Sequence, residues 1–276
     1  MGTPTLEVPV LSEVSASPAN SELNSFCHLA ERARKGTLGW GGPVIVLVGR
    51  SVLIIAAQAV TAGILWLRSH SWSWNAAAKW WTVYATLVDL GCLWLMAAFT
   101  RKEGIRLRDL IGRVRLRWAR DVWLGAACFV LVFPFFILGA ASASRIVYGA
   151  GQPPSLAGLA DSRVLPLWGV IYSFSAWWLI WSPTEEMTYR GYAFPRLEVL
   201  SRNRAVALGL VSFWWALQHS FLPFVLDWKL VLWRFLTFLP GVVILLLPSL
   251  KIRRLAPFVF AHWPMDVVAV FMTLKL

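Results

Sequence analysis

The chain has 276 residues, of which 58% are hydrophobic and only 14% charged, where a soluble domain carries roughly 25% charge. That balance excludes a soluble globular domain and a disordered chain, and it defines a polytopic membrane protein with one membrane domain. The net charge of +12 does not indicate a nucleic-acid partner, because the basic residues fall between apolar runs, where they act as topology signals.

In chain order, 1–40 reads as a tail, disordered over its Pro-, Ser-, Thr- and Glu-rich start and interfacial over 22–35, where Leu23, Phe26 and Ala30 share one side. No cleavable signal peptide is expected, and Leu6 argues against myristoylation at Gly2. Residues 41–276 form the membrane domain. The first span covers 43–67, long enough at 1.5 Å per residue to cross a hydrocarbon core of about 30 Å. Arg50 lies near one of its ends and is expected to snorkel. The second span, 76–99, carries Asp89, read as a satisfied partner within or between helices.

Residues 101–120 hold eight basic side chains among Ile105, Leu107, Leu110, Ile111, Val114 and Leu116, the pattern of an amphipathic segment on an anionic leaflet. A third span over 122–143, kinked at Pro134, precedes a Pro/Gly/Ser loop. The fourth begins near Leu167, and 205–224, 228–247 and 255–274 complete about seven. The expected fold is therefore an all-α membrane helix bundle. Most of the 26 Lys and Arg fall on turns that share a side with the N-terminus, which places that terminus in the cytoplasm. The three cysteines lack disulfide or zinc-knuckle spacing.

Ser182-Pro183-Thr184-Glu185-Glu186 and Arg190 put charge directly after a Trp-rich apolar run. Each ionisable group inside a span costs about 2.5–3.5 kcal/mol on insertion scales, which marks a functional site by default. The segment also reads as a helix start, with Ser182 as N-cap and Pro183 at the first helical position. On that reading alone Glu185 caps backbone amides and Glu186 pairs with Arg190 at i,i+4. Two histidines in apolar spans shift the balance. His219 ends Trp215-Ala216-Leu217-Gln218-His219, and His262 shares a helical face with Asp266. If the chain turns at 201–204, Glu185 and His219 each lie about 16 residues from the turn, at a common depth of about 24 Å. A cavity open toward the cytoplasm and lined by the fourth, fifth and seventh spans would hold them together.

These motifs resemble those of the CAAX protease and bacteriocin-processing (CPBP, or Abi) family of intramembrane glutamate endopeptidases. EExxxR appears as Glu185 to Arg190, FxxxH as Trp215 to His219 with Trp in place of Phe, and the last as His262 with Asp266. The resemblance covers about 100–274 and implies a hydrolase in which Glu185 and His219 activate water, Glu186 and Arg190 orient and balance the site, and His262 with Asp266 stabilises the oxyanion. An ionised Asp cannot donate a hydrogen bond, so Asp266 acts protonated or by orienting His262.

No cofactor is expected. Two His and a Glu would suit zinc, but HExxH is absent and the family is metal-independent. The expected partners are a peptide or membrane-protein substrate and the lipid bilayer, with no nucleic acid and no oligomeric state assigned. The excess of Arg over Lys points to a bacterial plasma membrane. The alternative functions are a non-catalytic peptide-binding or bacteriocin-immunity protein of the same fold, then a zinc metalloprotease or a proton-coupled transporter.

Overall fold

The computed structural model describes residues 23–70, 72–111, 117–151, 160–161, 165–252 and 254–275. The expected disorder before residue 23 and the amphipathic face around Val114 and Leu116 lie outside them.

Among the described residues the regular structure is helical apart from a two-residue parallel pairing of Ala160–Asp161 with Leu274–Lys275. A short helix α1 (Phe26–Arg34) precedes α2 (Gly41–Ser69), α3 (Trp74–Ala78) and α4 (Trp81–Lys102). After a 3-10 turn at Leu107–Leu110 come α5 (Trp118–Tyr148), α6 (Leu167–Ser175), α7 (Trp177–Glu186), a π-helical stretch Met187–Ala193 and α8 (Phe194–Ser201). Helices α9 (Arg204–Phe221), α10 (Trp228–Leu246) and α11 (Ala256–Thr273) complete the bundle.

Among the described residues, five segments are long and apolar enough to cross a membrane: Gly41–Ser69, Trp81–Lys102, Trp118–Tyr148, Trp228–Leu250 and Ala256–Thr273. The expected count of seven is not established, and the two segments outside this set have a common cause. The fourth expected span is broken into α6, α7, the π-helical stretch and α8, so no single helix in it reaches the required length. In α9, Arg204, Gln218 and His219 dilute the apolar run. The segments that carry the first two motifs are thus the least like ordinary spans, whereas α11, with His262 and Asp266, still qualifies as one.

Close helix crossings build the frame, as expected where small residues let membrane helices approach. A side chain at Gly91 of α4 would meet Leu53 of α2 at 2.8 Å, and one at Gly125 of α5 would meet the Pro257 carbonyl of α11 at 2.8 Å. Asp121 and Arg254 pair at the starts of α5 and α11. The turn expected at 201–204 is present, with Arg202 in the left-handed region and Asn203 Oδ1 accepting from the Ala205 and Val206 amides to cap α9.

Helix α9 ends inside the protein, and side chains take up the backbone groups of the following turn. Gln58 donates to the Phe224 carbonyl and accepts from the Phe224 amide, both at 2.8 Å. Trp74 donates to the same carbonyl at 2.7 Å, and Arg234 bonds the Leu222 and Pro223 carbonyls. Irregular backbone at membrane depth is tolerated only where protein groups satisfy it in this way.

Candidate active site

Ser182 and Pro183 are not a helix start. They lie inside α7, which begins at Trp177, and Ser182 makes no cap. Its hydroxyl instead donates to Asp266 Oδ2 of α11. The helix start is displaced upstream because Ala176 breaks the run between α6 and α7, and Trp178 Nε1 bonds the Phe174 carbonyl there at 2.8 Å. Downstream, the wider π-helical winding rotates the Arg190 face relative to a continuous α-helix; such segments recur at functional sites. Pro195 lacks the amide that would serve the Gly191 carbonyl, and Asn24 Nδ2 serves it at 2.8 Å.

Glu185 and Glu186 project from the last turn of α7 and are fully buried. His219 comes from the end of α9, while His262 and Asp266 come from α11. Glu185 Oε1 accepts the indole N–H of Trp215 and lies 3.7 Å from His219 Nε2 and 3.9 Å from His262 Nε2. Glu186 Oε1 is 3.0 Å from His262 Nδ1, and its other oxygen pairs with Arg190. Arg190 also bonds the Leu245 carbonyl at 2.6 Å and lies over the Phe258 ring at 4.1 Å.

The ring nitrogens can be assigned from these partners. His219 Nδ1 is 2.8 Å from the Trp215 carbonyl, which only accepts, so Nδ1 carries a proton, and in the neutral ring Nε2 then turns its lone pair toward Glu185. Phe238 stacks on the His219 ring at 4.1 Å and fixes its plane. His262 donates from Nδ1 to Glu186. Asp266 Oδ1 is 3.7 Å from His262 Nε2, beyond hydrogen bonding, so the orienting contact expected of Asp266 is made by Glu186.

A cavity of about 260 Å³ exposes His219, His262 and Asp266 and is otherwise lined mainly by apolar side chains. The expected opening toward the basic end is not where this cavity runs. Phe133, Ala140, Trp233 and Met272 line it, and they occupy the half of the bundle remote from the basic turns. A second cavity of about 170 Å³ reaches Arg190 from the basic end, past Asn24 and Arg254. Among the described residues no set of three His, Cys, Asp or Glu side chains is arranged to hold a metal ion.

The sequence identified Trp215 as a motif position and Asp89 as a partner between helices, but not the indole contact to Glu185, Gln218 or the burial of Arg50. Trp215 differs from the Phe of the motif by an N–H that reaches Glu185. Gln218 and the pair Arg50–Asp89 form a second layer behind Glu185, and Arg50 is fully buried, so it does not snorkel. Lone opposite charges in two apolar spans were the available signal for that pair.

Fold and site together define a polytopic helical membrane protein with a buried carboxylate, imidazole and guanidinium centre. Residues 166–268, less than half of the chain, match the family described as Type II CAAX prenyl endopeptidase Rce1-like, which supports the CPBP/CAAX protease family. The matched stretch contains all three motifs. No curated protein and no solved structure gives a match. The family points to a CAAX-type endopeptidase, with a peptide substrate and a membrane setting.

Proposed function

We propose that the chain is an intramembrane endopeptidase that hydrolyses peptides or membrane-protein tails with water activated by Glu185 and His219. One observation carries this reading: Glu185 Oε1, fully buried, and Nε2 of His219, which lines the apolar cavity, face each other across 3.7 Å. That gap is too long for a direct hydrogen bond and is spanned by one water. The water donates one proton to each acceptor, which turns its lone pair toward a peptide carbonyl in the cavity.

As the water oxygen bonds to that carbonyl carbon, Glu185 takes its proton and then delivers it to the leaving amine. In this scheme His262, held through Nδ1 by Glu186, stabilises the developing oxyanion from its Nε2 side. Asp266 and Ser182 flank it. Glu186 stands between Arg190 and His262, so it supports the site and does not react. The apolar cavity wall favours substrates with large apolar residues beside the cut bond. No metal is required by this scheme. The setting is a bacterial plasma membrane with the N-terminus in the cytoplasm.

The test is reconstitution of wild type, Glu185→Gln and His219→Ala in liposomes with a peptide library, and mass spectrometry for new termini. Cleavage by wild type alone supports the reading. Cleavage surviving either substitution sinks the assignments, and peptide binding without cleavage by wild type favours a non-catalytic peptide-binding or immunity protein.

A further inference from the structure

Arg50 enters the bundle from α2, outside the matched family segment, and no part of its side chain is exposed. Its guanidinium is held on three sides. Nε donates to Gln218 Oε1 at 2.6 Å, NH1 meets Asp89 Oδ1 at 3.2 Å, and the plane lies 4.1 Å from the centre of the Trp181 ring. The fourth side faces the proposed base, with NH2 3.6 Å from Glu185 Oε2. Neither of those two atoms has a hydrogen-bond partner, although both are buried.

We propose that Arg50 is a positioning residue for Glu185, which holds Oε2 by charge and thereby presents Oε1 to the two histidines. The proposal rests on the peptidase reading above. All the other polar neighbours of Glu185, namely Trp215, His219 and His262, approach Oε1. A carboxylate gripped at one oxygen by a cation and approached at the other by ring nitrogens has a single productive rotation. Arg50 is itself fixed by α4 through Asp89 and by α9 through Gln218, the residue before His219. One guanidinium thus sets Glu185 relative to the helix that bears its partner.

A purely structural Arg50 would affect stability alone, so the test removes its charge together with that of Asp89, which keeps the net charge of the buried cluster unchanged. Exchanging both members of a buried pair is tolerated far better than removing one, which makes Arg50→Gln with Asp89→Asn the informative variant. In liposomes it is expected to lower kcat about 100-fold, with KM changed less than about twofold, the signature of an interaction that acts in the transition state. Arg50→Lys restores part of kcat because it keeps the charge but loses the planar fork.

A readout independent of cleavage is labelling by dicyclohexylcarbodiimide, which attacks neutral carboxyls in apolar surroundings. Labelling of Glu185, followed by peptide mass spectrometry, is expected to rise about fivefold in the double variant. It should stay near wild type in Arg50→Lys and fall in Asp89→Asn, where Glu185 has the guanidinium to itself. Wild-type kcat in the folded double variant overturns the proposal, as does labelling unchanged in the double variant and in Asp89→Asn. If wild type cleaves nothing yet the labelling shifts as stated, the peptidase reading falls while the charge contact between Arg50 and Glu185 stands.

Discussion

Two buried charge clusters lie on the same run of chain, and they are built to opposite specifications. Around Arg196 every nitrogen is used: Nε and NH2 grip the two Glu103 oxygens at 2.8 and 2.7 Å, and NH1 bonds Asn24 and the Tyr192 carbonyl. Around Glu185, eleven residues toward the N-terminus, buried polar atoms are left over. Glu185 Oε2, Arg50 NH2, Asp89 Oδ2, Gln218 Nε2 and the Tyr189 hydroxyl have no hydrogen-bond partner within the protein. A saturated network holds helices together and does nothing else, whereas buried groups with spare capacity are costly unless a reacting molecule uses them. By this criterion the first cluster, with a single orphan at Arg32 Nε 3.8 Å from Glu103, reads as structure, and the second, with five, as the proposed site.

Substitutions in the two clusters should therefore fail differently. The largest effect is expected from Glu185→Gln, which should lower kcat/KM by about 10³–10⁴-fold, the upper range for losing a general base. Its melting temperature should stay close to wild type in detergent, and a large destabilisation would erase the contrast. Next, Arg196→Ala or Glu103→Ala strands one buried charge and should cost about 3–5 kcal/mol of stability, read from thermal melts. The protein that remains folded should cleave at the wild-type rate per molecule.

Trp215→Phe is a finer probe, because it restores the residue type of the family motif and removes only the indole N–H. A hydrogen bond to a charged group contributes about 1.5–3 kcal/mol, so kcat should fall about 10–100-fold in the peptide assay. The smallest effect is expected from Asn24→Ala, which frees the Gly191 carbonyl at a cost of about 1 kcal/mol. It should shift the melt by a few degrees and leave cleavage intact.

The sequence displayed some of this well and hid the rest for identifiable reasons. Four of the expected spans correspond to α2, α5, α10 and α11 because long unbroken apolar runs have only one way to exist in lipid. The common depth of Glu185 and His219 followed from counting residues to a shared turn, which Arg202 and Asn203 provide. By contrast, the capping pattern at Ser182-Pro183 was misleading, because tertiary contact with Asp266 outweighed a local preference. The second span starts at Trp81, after the separate helix α3. Arg50 looked peripheral because its distance from a helix end says nothing about which neighbour buries it. The π-helical winding leaves no periodic mark at all.

The turn after α9 has a consequence for how the protein is made. Its carbonyls are served by Gln58 of α2, Trp74 of α3 and Arg234 of α10, none of them in α9 itself. During biogenesis α9 therefore cannot settle in lipid as an independent segment, since its end would carry bare backbone into hydrocarbon. It must wait at the translocon until α10 follows and the earlier hairpin closes over it. Helix α9, which holds His219, is thus secured only after α10, so a nascent chain gains its proposed water-activating pair only once α2, α3 and α10 are in place.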